Sequence, residues 1–526
     1  MHHDACKTSE GFTIPSRLLD LQKDEHGHIR VCEDFSRHER KTYTALSYCW
    51  GRNQTFVLRQ SSYQDLVSGF PVNSLPDTFQ DAIRICRRIN CRYLWIDSLC
   101  IMQDSEHDKS SEISRMKDIF MSAMLVISAA AARTCDEGFL KSRDAYLDAT
   151  TSLPFPMLHP DGLHTGRIHI SKQTWLTYGD EYPSHQRAWT FEERTLASRL
   201  LTYGKRQTVW RCRSATFVDA GPLEAVYETR GSMGAMVIAT RVIDQILERP
   251  DFREWRVPEP VPDVNMHKPW WKIVLGYTSL RLTKPGDNLP ALAGVAELVH
   301  GRTESNYVAG LWAEDLPRDL LWFRDHEQDY EWNEKSGKSD RRAHNGTPSW
   351  SWACLDTTIR HSSLFVRDTQ NLEHMDLRRP SFLEDAEVLH YSLGLKNASN
   401  PFGGVDSGLL VLRALVVPLT KISPGCIRFF PPANADDVTS IRRYPGRFFE
   451  PAEVQCLLDD PTEINYQNEA SKLVLVRLNS LTKVPLLEGI LVQASRTRLD
   501  YQRLGYFCTA DSDLFVGITK QEIQIF

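Results

Sequence analysis

Two acidic residues of this sequence, Asp97 and Glu193, are candidates for a catalytic or ligand-binding carboxylate. Asp97 is the single charged residue of the apolar run Tyr93–Ile101. Burying a carboxylate is costly unless it is paired or lies near a strand end, so Asp97 either belongs to a structural hydrogen-bond network or contacts a ligand. Glu193, in the segment Arg187–Gly204, is either a helix-capping residue or a positioned acid.

The segment around Glu193 predicts a helix that runs into a strand. Thr190 lies three residues before Glu193, which is the spacing of a capping box with Thr190 as the N-cap. Glu192 falls in the same first turn, where the helix dipole favours negative charge, and we expect it to be the solvent-exposed neighbour of Glu193. As a cap alone, Glu193 would stabilise the helix by about 1 kcal/mol and would need no catalytic role. A strand then begins at Leu201–Tyr203.

Three apolar runs upstream predict the strands that carry these groups. They are Tyr43–Gly51, Tyr93–Ile101 and Leu125–Ala131, and an amphipathic helix lies in each gap. The first helix opens at Leu75–Thr78 and the second carries the apolar positions of Ile113–Met124. Strands that alternate with helices over short connections are typical of a parallel sheet covered on both faces, so the sequence predicts an α/β domain.

The rest of the chain divides by pattern into a hairpin, a helical stretch and a strand-rich end. Ser16–Leu21 and His28–Cys32 predict two short strands ahead of the sheet. Residues 220–325 are predicted to be helical. Strand-like segments follow at Leu409–Leu412, Leu415–Val417, Leu473–Val476, Ile490–Val492 and Leu514–Ile518. The predicted domains are residues 1–215, a helical region over 216–355 and a β-rich region over 356–526.

Composition and charge argue against several kinds of partner. The 526 residues are 41% hydrophobic and 25% charged, with a formal net charge of -6, so no global excess of positive charge favours nucleic acid or an anionic membrane. Local basic clusters such as Arg84, Arg87 and Arg88 are interpreted as solvated faces. No stretch is long and apolar enough to span a bilayer, and the N-terminus lacks the apolar core of a secretory signal. These features favour a cytoplasmic protein.

Common cofactor and metal motifs are missing from the sequence. The twelve cysteines contain no C-x-x-C pair, and the closest set, Cys86, Cys91 and Cys100, lacks the spacing of zinc ligands. We therefore expect free thiols and no metal. The local signatures of Rossmann dehydrogenases, P-loop NTPases, α/β-hydrolases and zinc proteases do not occur either.

Three blocks with aromatic and glycine positions follow one another along the chain. They are Tyr43-x-Ala45-Leu46-Ser47-Tyr48-x-Trp50-Gly51, Trp95-Ile96-Asp97-x-Leu99-Cys100-Ile101-x-Gln103 and Arg187-x-Trp189-Thr190-x-x-Glu193. Together they resemble the fungal heterokaryon incompatibility (HET) domain. The resemblance covers roughly residues 40–212, and downstream segments extend it to about residue 355. Phe191-Glu192 stands where Leu-Gln is usual before the shared Glu193.

The resemblance implies a function and a chemistry. HET-family membership implies a role in non-self recognition and regulated cell death when incompatible fungal cells fuse. HET domains are also similar to TIR domains, some of which cleave NAD with a helix-borne glutamate, so the resemblance implies a TIR-like, flavodoxin-like parallel sheet with Glu193 as the catalytic residue. One carboxylate suffices, because nicotinamide is a cationic leaving group that departs through an oxocarbenium-like state. NAD would be the substrate, and no cofactor is expected.

The same interpretation names residues for the substrate. Trp50 and Trp189 could stack on a planar ring, although large aromatics, Trp95 included, more often belong to the core. The expected substrate-binding residues are Ser47, Tyr48, Trp50, Gly51, Asp97 and Trp189. The alternative is a non-enzymatic signalling or interaction module that acts by self-association, with an allelic or non-allelic protein partner that the sequence does not identify.

Overall fold

A computed structural model describes residues 13–22, 28–33, 41–51, 54–141, 152–158, 165–171, 182–205, 207–213, 215–219, 239–240, 242–243, 267–282, 284–325, 346–363, 382–423, 426–430, 453–459, 472–481, 486–494 and 500–526. The chain falls into two compact units, residues 1–229 and 230–526. The boundaries predicted at residues 215 and 355 stay predictions. Within the described ranges, no helix combines the length and the apolar character needed to cross a membrane.

The first unit is built on a mixed sheet. Its strands are β1 (Leu18–Asp20), β2 (His28–Cys32), β3 (Tyr43–Ser47), β4 (Phe70–Pro71), β5 (Tyr93–Trp95), β6 (Leu125–Ser128), β7 (Ser152–Leu158), β8 (Thr165–Ser171), β9 (Arg199–Tyr203), β10 (Thr208–Cys212) and β11 (Ala215–Val218). β7 and β8 form a separate antiparallel pair. The other nine strands take the order β11-β10-β9-β6-β3-β5-β1-β2-β4.

The centre of this sheet is parallel and its flanks are antiparallel. β9, β6, β3 and β5 run parallel, which confirms the predicted pairing of the first three strands. The predicted hairpin of β1 and β2 forms part of one flank. The parallel-sheet prediction is wrong for the outer strands, because they join the sheet by antiparallel pairing. Counted along the chain, the parallel strands lie in the order second, first, third, fourth, one of the common doubly wound orders.

Helices cover both faces of the parallel centre. They are α1 (Tyr63–Ser68), α2 (Asp77–Arg88), α3 (Asp97–Cys100), α4 (Glu106–Ser114), α5 (Met116–Ser122) and α6 (Trp189–Thr195). Side chains alternate between the faces of each strand, so Leu46 and Ile127 pack in the apolar cluster that includes α2. Ala45 and Val126 pack in the cluster that includes α5. All five residues of β3 are buried, as expected for a strand covered on both sides.

Two predicted elements are divided differently in the structure. The run Tyr93–Ile101 is not one strand, because β5 ends at Trp95 and Asp97–Cys100 forms the short helix α3. A short apolar run alone does not distinguish a strand from a buried helical turn. The predicted second amphipathic helix is interrupted at Arg115, where α4 ends and α5 begins.

The second unit combines helices with long strands. Its helices are α7 (His267–Thr278) and α8 (Ala293–Thr303). Its strands are β12 (Tyr307–Val308), β13 (Leu311–Trp312), β14 (Trp322–Arg324), β15 (Ile359–His361), β16 (Phe382–Glu384), β17 (Glu387–Leu395), β18 (Val405–Pro418), β19 (Ile427–Phe430), β20 (Val454–Leu458), β21 (Leu473–Leu481), β22 (Leu486–Ala494), β23 (Asp500–Thr509) and β24 (Lys520–Ile525). Residues 220–238 and 244–266 of the predicted helical stretch lie outside the described residues.

Five strands of the second unit close into a ring. β18 pairs with β21, β21 with β22, β22 with β23, β23 with β24, and β24 again with β18. β16, β17, β19 and β20 extend this sheet. Four of the five predicted strand segments lie within β18, β21 and β22, which confirms the β-rich end. The prediction at Leu514–Ile518 is wrong, because a 3-10 turn at Ser512–Phe515 buries Phe515 instead.

Candidate active site

The candidate active site lies at the carboxyl ends of the parallel strands. The parallel strand that follows β3 in the chain, β5, lies on one side of β3. The parallel strand that follows β6, β9, lies on the opposite side of the β3–β6 pair. Open α/β sheets bind ligands at such a switch point. Ser47 and Ser128 are register partners at this edge, and Thr202 of β9 is the register partner of Ser128. The three hydroxyl-bearing side chains therefore follow one another along one face of the sheet.

Helix α6 brings Glu193 to this edge. The helix spans Trp189–Thr195, and no side chain caps its N-terminus. Thr190 lies inside the first turn, where its hydroxyl donates to the carbonyl oxygens of Arg187, at 2.9 Å, and Ser184, at 3.1 Å. The predicted capping box is therefore wrong, and the role of Glu193 as a positioned acid stays a prediction.

The carboxyl of Glu193 is buried beside Ser47. Glu193 is 8% exposed, and neither its Oε2 nor Ser47 Oγ has a partner of good hydrogen-bond geometry among the described residues. Burial raises the pKa of Glu193 to about 7, and the charge of Asp97 adds to the rise. The nearby Ser47 hydroxyl, Arg187 and Arg194 act in the opposite direction. Acid and carboxylate are therefore both populated at neutral pH, as general acid–base catalysis requires.

Glu192 differs from its prediction as the solvent-exposed neighbour. It is buried, and so are all the residues from Thr190 to Thr195. Glu192 lies in the first turn of α6, as predicted, but the protein encloses α6, so Glu192 is not at the surface. Local sequence does not report this enclosure, because the packing comes from strands distant in the chain.

Asp97 is held by two N–H donors. Its Oδ2 accepts the indole N–H of Trp50 at 2.7 Å, and its Oδ1 accepts the backbone N–H of Ser98 at 2.7 Å. Burial raises the pKa of Asp97, whereas these donors, Tyr48 and Arg187 lower it. Because both oxygens already accept hydrogen bonds, Asp97 fixes Trp50 and the start of α3. Of the two roles predicted for Asp97, the structural network is present.

Tyr48 and Gly51 both have structural roles next to the site. Tyr48 is buried on the face opposite to Ser47, its hydroxyl donates to Ser98 Oγ at 2.9 Å, and its ring lies edge-on to Phe79. Gly51 has a φ of 80°, and a Cβ there would lie 2.9 Å from Cβ of Thr134. A larger residue would therefore be strained and crowded at Gly51. Substrate contacts by Tyr48 and Gly51 stay predictions.

The three tryptophans of the family blocks have different surroundings. Trp95 is fully buried, with its ring edge-on to Phe120 at 5.4 Å, so its predicted place in the core is confirmed. Trp50 is partly buried and packs with the α2 cluster. Trp189 is also partly buried but packs with the α5 cluster on the other face of the sheet. Trp50 and Trp189 therefore do not form one platform, although each retains an accessible part.

Cys49 and Arg187 also belong to the site, and the sequence-based residue set omits both. Burial raises the pKa of the Cys49 thiol, Arg187 lowers it and Glu193 raises it, which places the thiol within electrostatic reach of both charged groups. Arg187 was visible as the first residue of the third block. Cys49 had no distinguishing signal, since the eleven described cysteines are all free thiols.

His185 ties the approach to α6 to strand β6. Its Nε2 lies 3.0 Å from Oγ of Ser128, and its ring stacks on Tyr182 with centroids 5.2 Å apart. Burial, assisted by the charges of Arg194 and Arg211, holds the pKa of His185 well below its usual range. A neutral buried imidazole bonded to a buried hydroxyl serves to fix the 3-10 turn Pro183–Gln186 that precedes Arg187.

Two other properties of the described structure, its potential metal ligands and a groove along α2, do not add to the candidate active site. Within the part of the chain that the structure describes, no three His, Cys, Asp or Glu side chains are arranged to hold a metal ion. A groove of about 430 Å³ runs along α2, lined in part by Arg84, Arg87 and Arg88. All three arginines are exposed, which confirms the solvated basic face predicted there.

Comparison with known proteins shows what the region that contains these residues is similar to. The family model described as heterokaryon incompatibility protein (HET) matches residues 43–193, from the first residue of β3 to Glu193. Heterokaryon incompatibility protein 6, OR allele, of Neurospora crassa is 31% identical over 143 residues, which cover 26% of this chain and 19% of that relative. This chain thus matches about a fifth of the relative's length. No solved structure matches the chain. By this similarity, residues 43–193 correspond to a HET domain.

Proposed function

We propose that this chain acts in fungal non-self recognition and regulated cell death, and that its HET domain acts there as an enzyme that cleaves NAD between nicotinamide and ribose. The observation that carries the enzymatic part is the state of Glu193. This acid is buried at the switch point of a doubly wound sheet, has a pKa of about 7 and keeps Oε2 without a partner among the described residues. The competing cap role is not supported, because α6 has no side-chain cap.

The reaction needs one carboxylate and one water molecule. The bond between the nicotinamide nitrogen and the ribose carbon breaks, and its electron pair leaves with nicotinamide, which becomes neutral. The carboxylate of Glu193 stabilises the positive charge that develops on the ribose. Water then adds to the same carbon and releases a proton, which Glu193 accepts and passes to solvent. The products are nicotinamide and ADP-ribose.

The neighbouring residues fit supporting roles in this reaction. Asp97 holds the Trp50 indole by a 2.7 Å hydrogen bond, so the accessible part of the ring offers a fixed stacking surface for a flat base. Ser47 Oγ lies at the buried end of β3 without a partner among the described residues. In the proposed complex this hydroxyl bonds a ribose hydroxyl and so orients the sugar towards Glu193.

A non-enzymatic module that acts by assembly is the second candidate function. It is favoured by strand β11, which ends the strand order of the first sheet and carries Phe217, 62% exposed. β11 has no further partner strand among the described residues, and a strand edge with an exposed aromatic residue can accept a strand from another copy. Substitution Phe217→Lys tests this candidate, because it should lower the oligomer fraction in light scattering if β11 mediates association.

Nicotinamide release from NAD by the purified chain tests the enzymatic proposal. The assay compares wild type, Glu193→Gln and the control Glu106→Gln at several protein concentrations. Glu106 is a suitable control because its side chain is 90% exposed and its partner is the nearby Lys109. We expect release by wild type and by the control, and at least a 100-fold loss in Glu193→Gln, since the carboxylate supplies the main electrostatic stabilisation of the transition state.

Expression of wild type and Glu193→Gln in fungal cells tests whether NAD cleavage causes cell death. Glu193→Gln should lose both killing and the fall in cellular NAD at unchanged protein abundance. Full killing by Glu193→Gln at normal abundance would instead contradict the enzymatic proposal. The assembly module would then be the better account, and Phe217→Lys should be the variant that stops killing.

A further inference from the structure

Arg187 places a positive charge in the candidate site from a fixed backbone. Its N–H donates to the carbonyl oxygen of Ser184 at 3.2 Å, and its own carbonyl accepts the Thr190 hydroxyl at 2.9 Å. The side chain is partly exposed. Its guanidinium acts electrostatically on Cys49 and on the two acids of the site. The charge of Arg187 is therefore within electrostatic reach of the end of β3, the start of α3 and helix α6.

The charge of Arg187 is not used in an internal ion pair of the described structure. Other arginines of the first unit differ, since Arg17, Arg84 and Arg92 each pair with an aspartate. Arg194, the nearest arginine along α6, is buried and donates to the Thr190 carbonyl at 2.9 Å. Arg187 is thus an arginine of this site whose side chain is partly exposed, lies beside the Cys49 thiol and forms no ion pair with a described carboxylate.

The charge balance of the site favours an anionic ligand group. Burial raises the pKa of Glu193 to about 7, so this acid only partly offsets the charge of Arg187 at neutral pH. A partly desolvated guanidinium gains most from a ligand that offers two oxygens to its planar fork, as a phosphate does. Glu193 Oε2 and Ser47 Oγ are buried near this charge and keep hydrogen-bonding capacity that no described residue uses with good geometry.

We propose that Arg187 binds a phosphate of the substrate, and that the site therefore selects phosphorylated pyridine nucleotides over the corresponding nucleoside. This assignment rests on the proposed cleavage reaction. Arg187 holds the phosphate on the 5′ side of the ribose while Glu193 acts at the carbon that bears nicotinamide. Trp50, held by Asp97, remains available to the flat base.

The test compares substrates that differ in phosphate content. NAD and nicotinamide mononucleotide carry the phosphate, whereas nicotinamide riboside lacks it and keeps the same scissile bond. We expect Arg187→Gln to lower kcat/KM for both phosphorylated substrates by about 10- to 100-fold, as loss of charge-assisted hydrogen bonds does. The value for nicotinamide riboside should change less than about threefold. The kcat/KM of Arg187→Lys for the phosphorylated substrates should lie between those of wild type and Arg187→Gln, because lysine retains the charge and lacks the planar fork of donors.

A binding measurement separates this inference from the cleavage reaction itself. Titration calorimetry with ADP-ribose should show binding to wild type, at least a tenfold weaker binding to Arg187→Gln, and unchanged binding to Arg84→Gln, a control whose side chain is 64% exposed. If NAD is not cleaved but this pattern holds, the cleavage proposal fails and the phosphate site stands. Equal losses on nicotinamide riboside and NAD, or no binding of ADP-ribose by wild type, would overturn the role of Arg187. Melting curves confirm that each variant is folded.

Discussion

The indole N–H of Trp50 donates to Oδ2 of Asp97 across 2.7 Å and so joins the loop after β3 to the first turn of α3. This bond connects two strand ends that are adjacent in the sheet but 47 residues apart in the chain. Because each oxygen of Asp97 accepts an N–H from a different segment, the carboxylate holds the Trp50 indole and the first turn of α3 in fixed positions.

Substitution Asp97→Asn should destabilise the first unit without a large change in shape. The asparagine amide can accept from Trp50 or from Ser98, but its NH₂ group then faces the other donor. One buried polar group loses its partner, which costs about 1–3 kcal/mol. Urea denaturation should measure that loss, and Trp50 fluorescence should shift. Unchanged stability would show that the two N–H groups are satisfied in another way.

Trp95→Ala should cost roughly 3–5 kcal/mol, because it leaves a large cavity between the sheet and α5. The ring is fully buried and contacts Phe120. The matched control is Phe217→Ala, whose side chain is 62% exposed and should change the free energy of unfolding by less than about 0.5 kcal/mol. Thermal melting checks both variants, and loss of soluble Trp95→Ala would agree with the larger value.

The parallel centre of the first sheet could be predicted from sequence, since β3, β5 and β6 coincide with continuous apolar runs separated by helical periodicity. Its antiparallel flanks could not, because pairing between β5 and β1, or β9 and β10, depends on distant segments. The short helix α3 was also missed. An apolar run such as Ile96–Ile101 fits a strand and a buried turn equally well.

The candidate site was predicted in part. Glu193, Asp97 and Ser47 do meet at one edge, as the family blocks and the rule for strand ends imply. The burial of Glu192 and the contribution of Arg187 depend on how α6 packs, which the sequence does not show. The capping spacing of Thr190 and Glu193 was misleading, because the N-cap is Ala188, two residues before Thr190, and the Thr190 hydroxyl donates back to the Arg187 carbonyl.

In the second unit, Arg503→Met should be strongly destabilising. Arg503 and Asp459 form a fully buried ion pair with a 3.0 Å contact, and the guanidinium also lies 3.5 Å from the centre of the Trp322 ring. Removing one partner leaves a buried charge alone, which costs about 3–5 kcal/mol. The double variant Arg503→Met with Asp459→Leu should recover much of that loss. A double-mutant cycle by urea denaturation checks this, and additive losses would contradict a coupled pair.

The pH dependence of stability gives the last prediction and concerns Glu193 directly. Burial raises its pKa from the ordinary 4.5 to about 7 in the folded chain, so the folded state holds a proton that the unfolded state has released. The stability linked to this proton is present below pH 4.5 and is lost as pH rises towards 7. Glu193→Gln has no such proton, and above pH 7 it should exceed wild type by up to roughly 3 kcal/mol.

Activity should change with pH in the opposite sense to stability, because the proposed reaction uses the carboxylate. Wild-type kcat/KM for NAD should therefore rise with pH through about 7, the pKa of Glu193. Urea denaturation of both chains from pH 4 to 8, with nicotinamide release over the same range, measures the two trends. Parallel stability curves for wild type and Glu193→Gln would mean that Glu193 titrates normally. The carboxyl would then be solvated in the folded chain, and its role as a buried, poised acid would be lost.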